Sequence, residues 1–439
     1  MGDDQLVQRL LDGDAAAFAG STAAHSLGWL RHPERYLGEW LDETAARLPD
    51  RYERTLLLGM GGSSSPARLY AEARPETRLT VLDTSNPDTV AATDFSHATV
   101  IASSKSGTTI ETQTLLAHAL DNGLESENLV VITDPATALG ALATSLGATL
   151  IEGDVNTGGR FSGLSPFGLV PAIYAGWSVD ELRAELGPCS LSEALVAGAV
   201  AEAARRAATI HDGEAFYALG ADPITSGGAL WLEQLVAETT GKDQRGFIPV
   251  LAAETSSYRP SQMQHHHLVA ALLARHLDVD PFNQPNVESA KKDVFALLEG
   301  EVSWTPGQVN VGALREALSS STYNVLQVYA PISTSSALAG LRERTQAVYG
   351  TTTANLGPRY LHSTGQLHKG GPRGVVGVQI VQRPSSTPVR IAGRHYTFHD
   401  LHMAQALSDL RAMTAARRPV WQLVVDDFDE AAQVLGLQS

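Results

Sequence analysis

Cysteine is all but absent from this 439-residue chain: Cys189 stands alone, which excludes an internal disulfide and any metal cage built from cysteines. No Cys/His family signature surrounds it, so it reads as a buried, inert thiol. Basic residues are also in short supply. Lys and Arg number 32 against 48 Asp and Glu, a formal net charge of −16, and such a field repels nucleic acid and anionic membrane at long range. Long apolar runs are missing as well: no window of the roughly 18 residues that a spanning helix needs lacks charged or polar breaks, and "MGDDQLVQRLLDGDAAAF" (1–18) has no basic region ahead of an apolar one. The expectation is therefore a cytoplasmic protein with no nucleic-acid or membrane partner. An anionic ligand would need a locally positive site.

What is present is 43% hydrophobic residues, enough for two or three cores at ordinary domain size. Apolar runs of strand length recur between helical patterns: "TLLLG" (55–59), "LTVLD" (79–83), "ATVIAS" (98–103), "NLVVIT" (128–133) and "ATLI" (148–151). Strands apolar on both faces that alternate with helices predict a parallel sheet covered on both sides. A second, less regular series has strands "AFYALG" (215–220), "FIPVLAA" (247–253), "YNVLQVYA" (323–330) and "VVGVQIV" (375–381), with helical patterns near 192–211, 225–240, 262–277 and 333–349. A closing helix, the strand "WQLVVD" (421–426) and a last helix follow. The reading is an N-terminal helical segment (1–49), a first α/β unit (50–190) and a second (191–439).

"SSKSGTT" (103–109) stands between a strand and a helix. A helix N-terminus offers unpaired N–H groups and partial positive charge, and a loop of small residues lets a phosphate approach them. One hydroxyl would suffice as a cap; Ser104, Ser106, Thr108 and Thr109 together suggest a cradle. It is no Walker loop, because Lys105 precedes Gly107. "GMGGSSS" (59–65) fails as a dinucleotide fingerprint, since Ser64 stands where the last glycine belongs. Two small-residue turns at successive strand ends could still grip one phosphate between them, which points to a small phosphorylated metabolite.

Arg160 lies on a glycine-flanked loop, "TGGRFSG" (157–163). Gln234 and Glu238 fall four apart on one face of an otherwise apolar helix ending at Gly241. A glutamate buried there would have a raised pKa, suited to taking a proton beside a carbonyl; the alternative is a solvated Glu238 paired with Lys242. "GPRYLHSTGQLHKGGPRG" (357–374) offers His362 and His368 as acid/base groups near neutral pH. Two histidine clusters invite a metal reading that fails. His265, His266 and His267 are consecutive and point about 100° apart on a helix, while His395, His399 and His402 lack the glutamate of the zinc pattern.

Together "GMGGSSS", "SSKSGTTIET", "GGRFS", "QLVAETTGKDQRGFIP", "LHSTGQ" and "DPFNQPNVESAKKDVFALL" resemble the glucose-6-phosphate isomerase family, in particular the isomerase portion of isomerase–transaldolase fusions. The resemblance implies an α/β fold of two αβα-sandwich sugar-isomerase (SIS) domains with mainly parallel sheets, a homodimer, and a hexose phosphate as substrate with no metal or cofactor. It implies that Gly62, Ser63, Ser104, Lys105, Ser106, Thr108 and Thr109 hold the phosphate and that Gln234 contacts the sugar. Glu238 would shuttle a proton between C1 and C2, Arg160 would stabilise the enediolate, and His362, with Lys291, would serve ring opening. The order departs from the family pattern, for "LHSTGQ" follows "QPNVESAK" here; His368 is the reserve for His362. In the family that histidine commonly comes from the second subunit. A non-catalytic sugar-phosphate-binding module and an isomerase that also takes mannose 6-phosphate are the alternatives.

Overall fold

The structure, a computed structural model, describes residues 2–20, 22–50, 52–285, 288–300 and 309–438, the side chains of 288–292 excepted. Five strands form the first sheet: β1 (Thr55–Gly59), β2 (Leu79–Leu82), β3 (Thr99–Ser103), β4 (Leu129–Thr133) and β5 (Thr149–Glu152). They run parallel in the order β2-β1-β3-β4-β5. β1, β3 and β4 are buried along their whole length, as continuous apolar runs require. Side chains alternate between the two faces: Leu57, Ile101 and Val130 join one core, while Leu56, Leu58, Val100 and Val131 join the other.

The second half contains β6 (Glu214–Leu219), β7 (Gly246–Leu251), β8 (Tyr323–Tyr329), β9 (Thr352–Leu356), β10 (Val375–Gln382) and β11 (Val420–Val425). The second, less regular series of strands falls into two sheets: β11-β10-β8-β9 form a four-stranded parallel sheet, and β6 pairs with β7 alone. Pro249 in the middle of β7 has no N–H for a ladder, and proline confines a strand to an edge. β9 escaped the sequence reading because "TTANL" is short and half polar. Three of the anticipated helices form as Gly227–Thr240, Met263–His276 and Ser335–Tyr349, and the first is Glu193–Ala207. The chain is thus α/β with parallel sheets throughout. Among the described residues no helix is long and apolar enough to cross a membrane.

The largest core runs from Leu6 to Val279, crossing residue 190, because Glu193–Ala207, Gly227–Thr240 and Met263–His276 all contribute side chains to the core under the first sheet. Helix Phe398–Ala415, also from the second half, buries Phe398, Leu401 and Ala404 against the opposite face of the first sheet. Helices of the second half therefore complete the cores on both faces of the first sheet, and the meeting line of the two halves passes over the carboxyl ends of β1 and β3. In the order β2-β1-β3-β4-β5 the connection from β1 leads one way, to β2, and that from β3 the other, to β4, which opens a crevice at those strand ends where ligands of open α/β sheets bind.

The N-terminal segment is fastened to this crevice by a buried contact. His32 Nε2 donates to Asp154 Oδ2 (3.2 Å), and Thr157 Oγ1 donates to the same oxygen (3.2 Å). The His32 hydrogen bond, ahead of the opposing effect of burial, leaves the Asp154 carboxyl well below the usual carboxylate range. A depressed carboxylate contributes stability that is fully present above its unfolded pKa of about 3.9 and is lost as pH falls toward the folded value. The stability gap between wild type and Asp154→Asn, measured by urea unfolding, is expected to be widest near pH 7 and to shrink from pH 5 to pH 3.

Candidate active site

The loop after β1 turns through Gly61–Ser63 before helix Ser65–Glu72 begins. Gly61 has φ +54°, a left-handed value that favours glycine. At Gly62 an added Cβ would lie 2.1 Å from the Gly159 carbonyl oxygen, so only a bare backbone lets this loop meet the one that carries Arg160. The loop after β3 folds on itself: Gly107 N donates to Ser104 O (3.1 Å), and Ser104 Oγ and Thr109 Oγ1 share a hydrogen bond of 2.9 Å. Helix Ile110–Asp121 starts there with Thr109 at its N-cap position. The Thr109 hydroxyl is engaged with Ser104 instead of capping its own helix, which leaves the first N–H groups of that helix without a side-chain cap.

A cleft of about 350 Å³ lies between these two loops, within the range of small-ligand sites. It is lined by Gly62, Ser63, Lys105, Ser106, Thr109, Arg160, Gln234, Glu238 and His362, nine of the twelve site residues read from the sequence. Ser104 is buried behind the loop. Thr108 faces a second, mostly apolar cavity that meets the cleft at Thr109 and His362. Lys291 falls on helix Glu288–Glu299, and its side chain lies outside the described residues.

Helix Gly227–Thr240 is buried on nearly every face and capped by Ser226, whose side chain accepts from Ala229 N (3.2 Å). Its cleft-facing stripe carries Gln234 and Glu238. Gln234 Nε2 donates to Glu238 Oε1 (3.3 Å), Gln284 Nε2 donates to Oε2 (3.0 Å), and Arg160 Nε lies 3.3 Å from Oε2. Two amides on opposite oxygens fix the carboxylate plane. Burial, opposed by Arg160, pushes the Glu238 carboxyl above its usual range. Lys242, offered above as Glu238's surface partner, instead donates to Asp280 O and is itself buried; burial and then Arg160 bring it down to about 6.

Arg160 is engaged more fully than a freely projecting cation. Nη1 donates to Glu238 O (2.6 Å) and Pro281 O (3.2 Å), and Nη2 to Phe282 O (3.3 Å) and Asn283 O (3.2 Å). Lys105 is likewise paired, donating to Asp134 Oδ2 and to Asp154 O (2.7 Å). Asp134 also lines the cleft.

His362 reaches the cleft from the same chain, where the resemblance had implied a second subunit. Its Nε2 donates to Glu111 Oε1 (2.8 Å), a buried carboxylate. His368 is wholly buried against Tyr360, and burial lowers it to about 3, so it is a core residue and not the reserve acid/base group. The other histidines are also occupied elsewhere. His265 bonds Glu202, His267 lies among Trp29, Phe161 and Trp231, and His395 and His399 bond backbone carbonyls. Among the described residues no cluster of metal-ligating side chains occurs. Cys189 is buried, with its thiol pushed up to about 11.

The sequence reading quoted Glu111 and Gln284 within motifs but assigned them no role, and passed over Asp134. An acidic residue in the first turn of a helix ordinarily complements the dipole, which masks a Glu111 aimed at a histidine 251 positions away.

No family model matches the chain. It is 32% identical over 248 residues to a protein named "Probable glucose-6-phosphate isomerase" from Haloarcula marismortui, covering 52% of this chain and 55% of that one. Over 294 residues it is 29% identical to "Glucose-6-phosphate isomerase" from Symbiobacterium thermophilum, 57% and 63% of the two chains. A Bacillus cereus protein of the same name is 27% identical over 260 residues, 51% and 57%. The matches thus span little more than half the length of these curated relatives. Among solved structures, a glucose-6-phosphate isomerase from Chlamydia trachomatis aligns over 71% of this chain and 80% of its own at 16% identity and TM-score 0.47. The similarity to these relatives thus extends over 51–57% of the chain.

If the cradle is an anion site, the Lys105–Asp134 pair sets its affinity. Asp134→Asn is expected to tighten inorganic phosphate by about tenfold and Lys105→Ala to weaken it by a similar factor, the scale of one charge-assisted hydrogen bond. Isothermal titration of each variant with phosphate measures both.

Proposed function

We propose that this chain is a glucose-6-phosphate isomerase, interconverting glucose 6-phosphate and fructose 6-phosphate through an enediolate. The observation that carries the reading is the grouping in one cleft of a hydroxyl-lined loop pair, a buried carboxylate beside a guanidinium, and a histidine backed by a second carboxylate. The relatives named above lend it support.

In this reading Ser63, Ser106, Thr109 and the N–H groups at the start of Ile110–Asp121 hold the phosphate. His362 takes the proton of the anomeric hydroxyl as the ring carbon–oxygen bond breaks and delivers a proton to the ring oxygen. Glu238 then removes the C2 proton of the open aldose, the electrons passing into the C1 carbonyl as the enediolate forms; the O2 hydroxyl proton passes to O1, and Glu238 returns its proton at C1 as the C2 carbonyl forms. The Arg160 charge, 3.3 Å from Glu238, favours the ionised base before the transfer and the oxyanion after it. Gln234 and Gln284 keep the carboxylate pointed. Each step balances without a cofactor or metal, and Lys291 joins His362 on the strength of the resemblance alone. The same resemblance suggests a homodimer, and the single buried thiol suits a cytoplasmic setting.

A coupled assay on both hexose 6-phosphates tests the reading. Wild type is expected to turn over both, and Glu238→Gln to lose about 10³-fold in kcat while still binding fructose 6-phosphate. Because the base must be ionised, kcat/KM should fall with decreasing pH along a limb displaced above the ordinary glutamate value of about 4.3. Binding without turnover by wild type would instead identify a non-catalytic sugar-phosphate module.

A further inference from the structure

We propose that a one-way hydrogen-bond chain from Asn86 through His402, Ser85 and Gln405 fixes the proton of His362 on Nε2, making Gln405 a positioning residue for ring opening. The proposal rests on the isomerase reading above.

The chain's direction is set at its far end. Asn86 caps the short helix Pro87–Ala91, and its Oδ1 accepts from Thr89 N (3.0 Å) and Thr89 Oγ1 (3.3 Å). The amide's nitrogen is then the atom 3.4 Å from His402 Nε2, so that ring nitrogen accepts. Burial lowers His402 to about 3, opposed weakly by a hydrogen bond to the Tyr329 backbone, and a neutral ring that accepts at Nε2 carries its proton on Nδ1. Nδ1 lies 3.3 Å from Ser85 Oγ, which accepts there and donates its own proton to Gln405 Oε1 (2.5 Å). Gln405 Nε2 therefore turns to Glu111 Oε1 (2.6 Å), the oxygen that also takes the His362 Nε2 bond.

The near end demands the same order. A flipped Gln405 amide would set its oxygen against the Glu111 carboxylate and its nitrogen against a hydroxyl that already receives a proton. Asn86, Ser85, Gln405, Glu111 and His402 are at most 2% exposed, so a reversed member would leave buried groups unpaired at a cost that water does not relieve. Residues of the two halves alternate along the chain: Asn86, Ser85 and Glu111 belong to the first α/β unit, and His402, Gln405 and His362 to the second. With the proton held on Nε2, Nδ1 is the nitrogen free to exchange a proton with the sugar. His402, which had looked like part of a failed metal cluster, is the link that passes direction across the domain contact.

The test uses Gln405→Met, close in shape, and Ser85→Ala, which removes only a hydroxyl. Each is assayed on fructose 6-phosphate and on 5-deoxyfructose 6-phosphate, which has no C5 hydroxyl with which to close a ring. Gln405→Met is expected to lose about 10- to 100-fold in kcat/KM on the first, the range of partners that orient a working ligand or base, and Ser85→Ala somewhat less; both should stay within about twofold of wild type on the acyclic sugar. ¹⁵N shifts of His362 with the ring neutral should report an Nε2–H tautomer in wild type and a tautomer mixture in Gln405→Met. Equal losses on both sugars, or an unchanged tautomer in Gln405→Met, overturn the proposal. A tautomer shift in a protein whose wild type turns over neither sugar upholds the chain and overturns the isomerase reading instead.

Discussion

The Arg160–Glu238 pair holds a carboxylate and a guanidinium together in a buried place, and the surrounding fold is built around it. Isolated burial would hold Glu238 protonated, and an isolated buried guanidinium would be costly. Together, 3.3 Å apart, each offsets part of the other's desolvation. The guanidinium also collects four backbone carbonyls, one from the end of helix Gly227–Thr240 and three from 281–283. In doing so it joins the loop after β5, the buried helix and the segment that presents Gln284. The glycines of 158–163 and of the loop after β1 follow from this, because the backbones must come together closely for the arginine to reach so far inside.

The global charge of −16 runs against an anionic ligand, and the cleft compensates locally. Among the described residues its positive groups are Lys105 and Arg160, and each is already shared with an acidic side chain or a carbonyl. The hydroxyls and unpaired N–H groups at the start of Ile110–Asp121 are therefore left as the main donors for an oxyanion, with the lysine adding field more than contact. Helix termini and hydroxyls bind an anion without adding net charge, which fits a protein whose surface is acidic.

Most of the first sheet was legible because its strands are buried on both faces, and such strands are continuous apolar runs. β9 and the division of the second series were not, since "TTANL" has no such run and Pro249 acts through a missing donor that hydropathy does not register. In the cleft, residues on glycine-rich or hydroxyl-rich turns were recognisable from local chemistry. Glu111, Gln284 and Asp134 were not, because each looks locally like a helix-end charge, a loop amide or a turn aspartate. His362 and His368 have similar surroundings in sequence, yet one lines a cleft and the other is walled in by Tyr360.

Sequence alone determined the local devices: parallel α/β architecture from apolar periodicity, two phosphate-sized turns from small residues at strand ends, and a glutamate on a buried helical face. Each depends on neighbours a few positions apart, where spacing fixes geometry. Tertiary structure decided which charges pair and which histidine lines the cleft. Those outcomes depend on contacts between residues more than a hundred positions apart, such as Gln234 with the His362 carbonyl, Gln405 with Glu111 and Ser85 with His402. Hydrogen-bond direction and burial are properties of the packed assembly of both halves, and no window of sequence contains them.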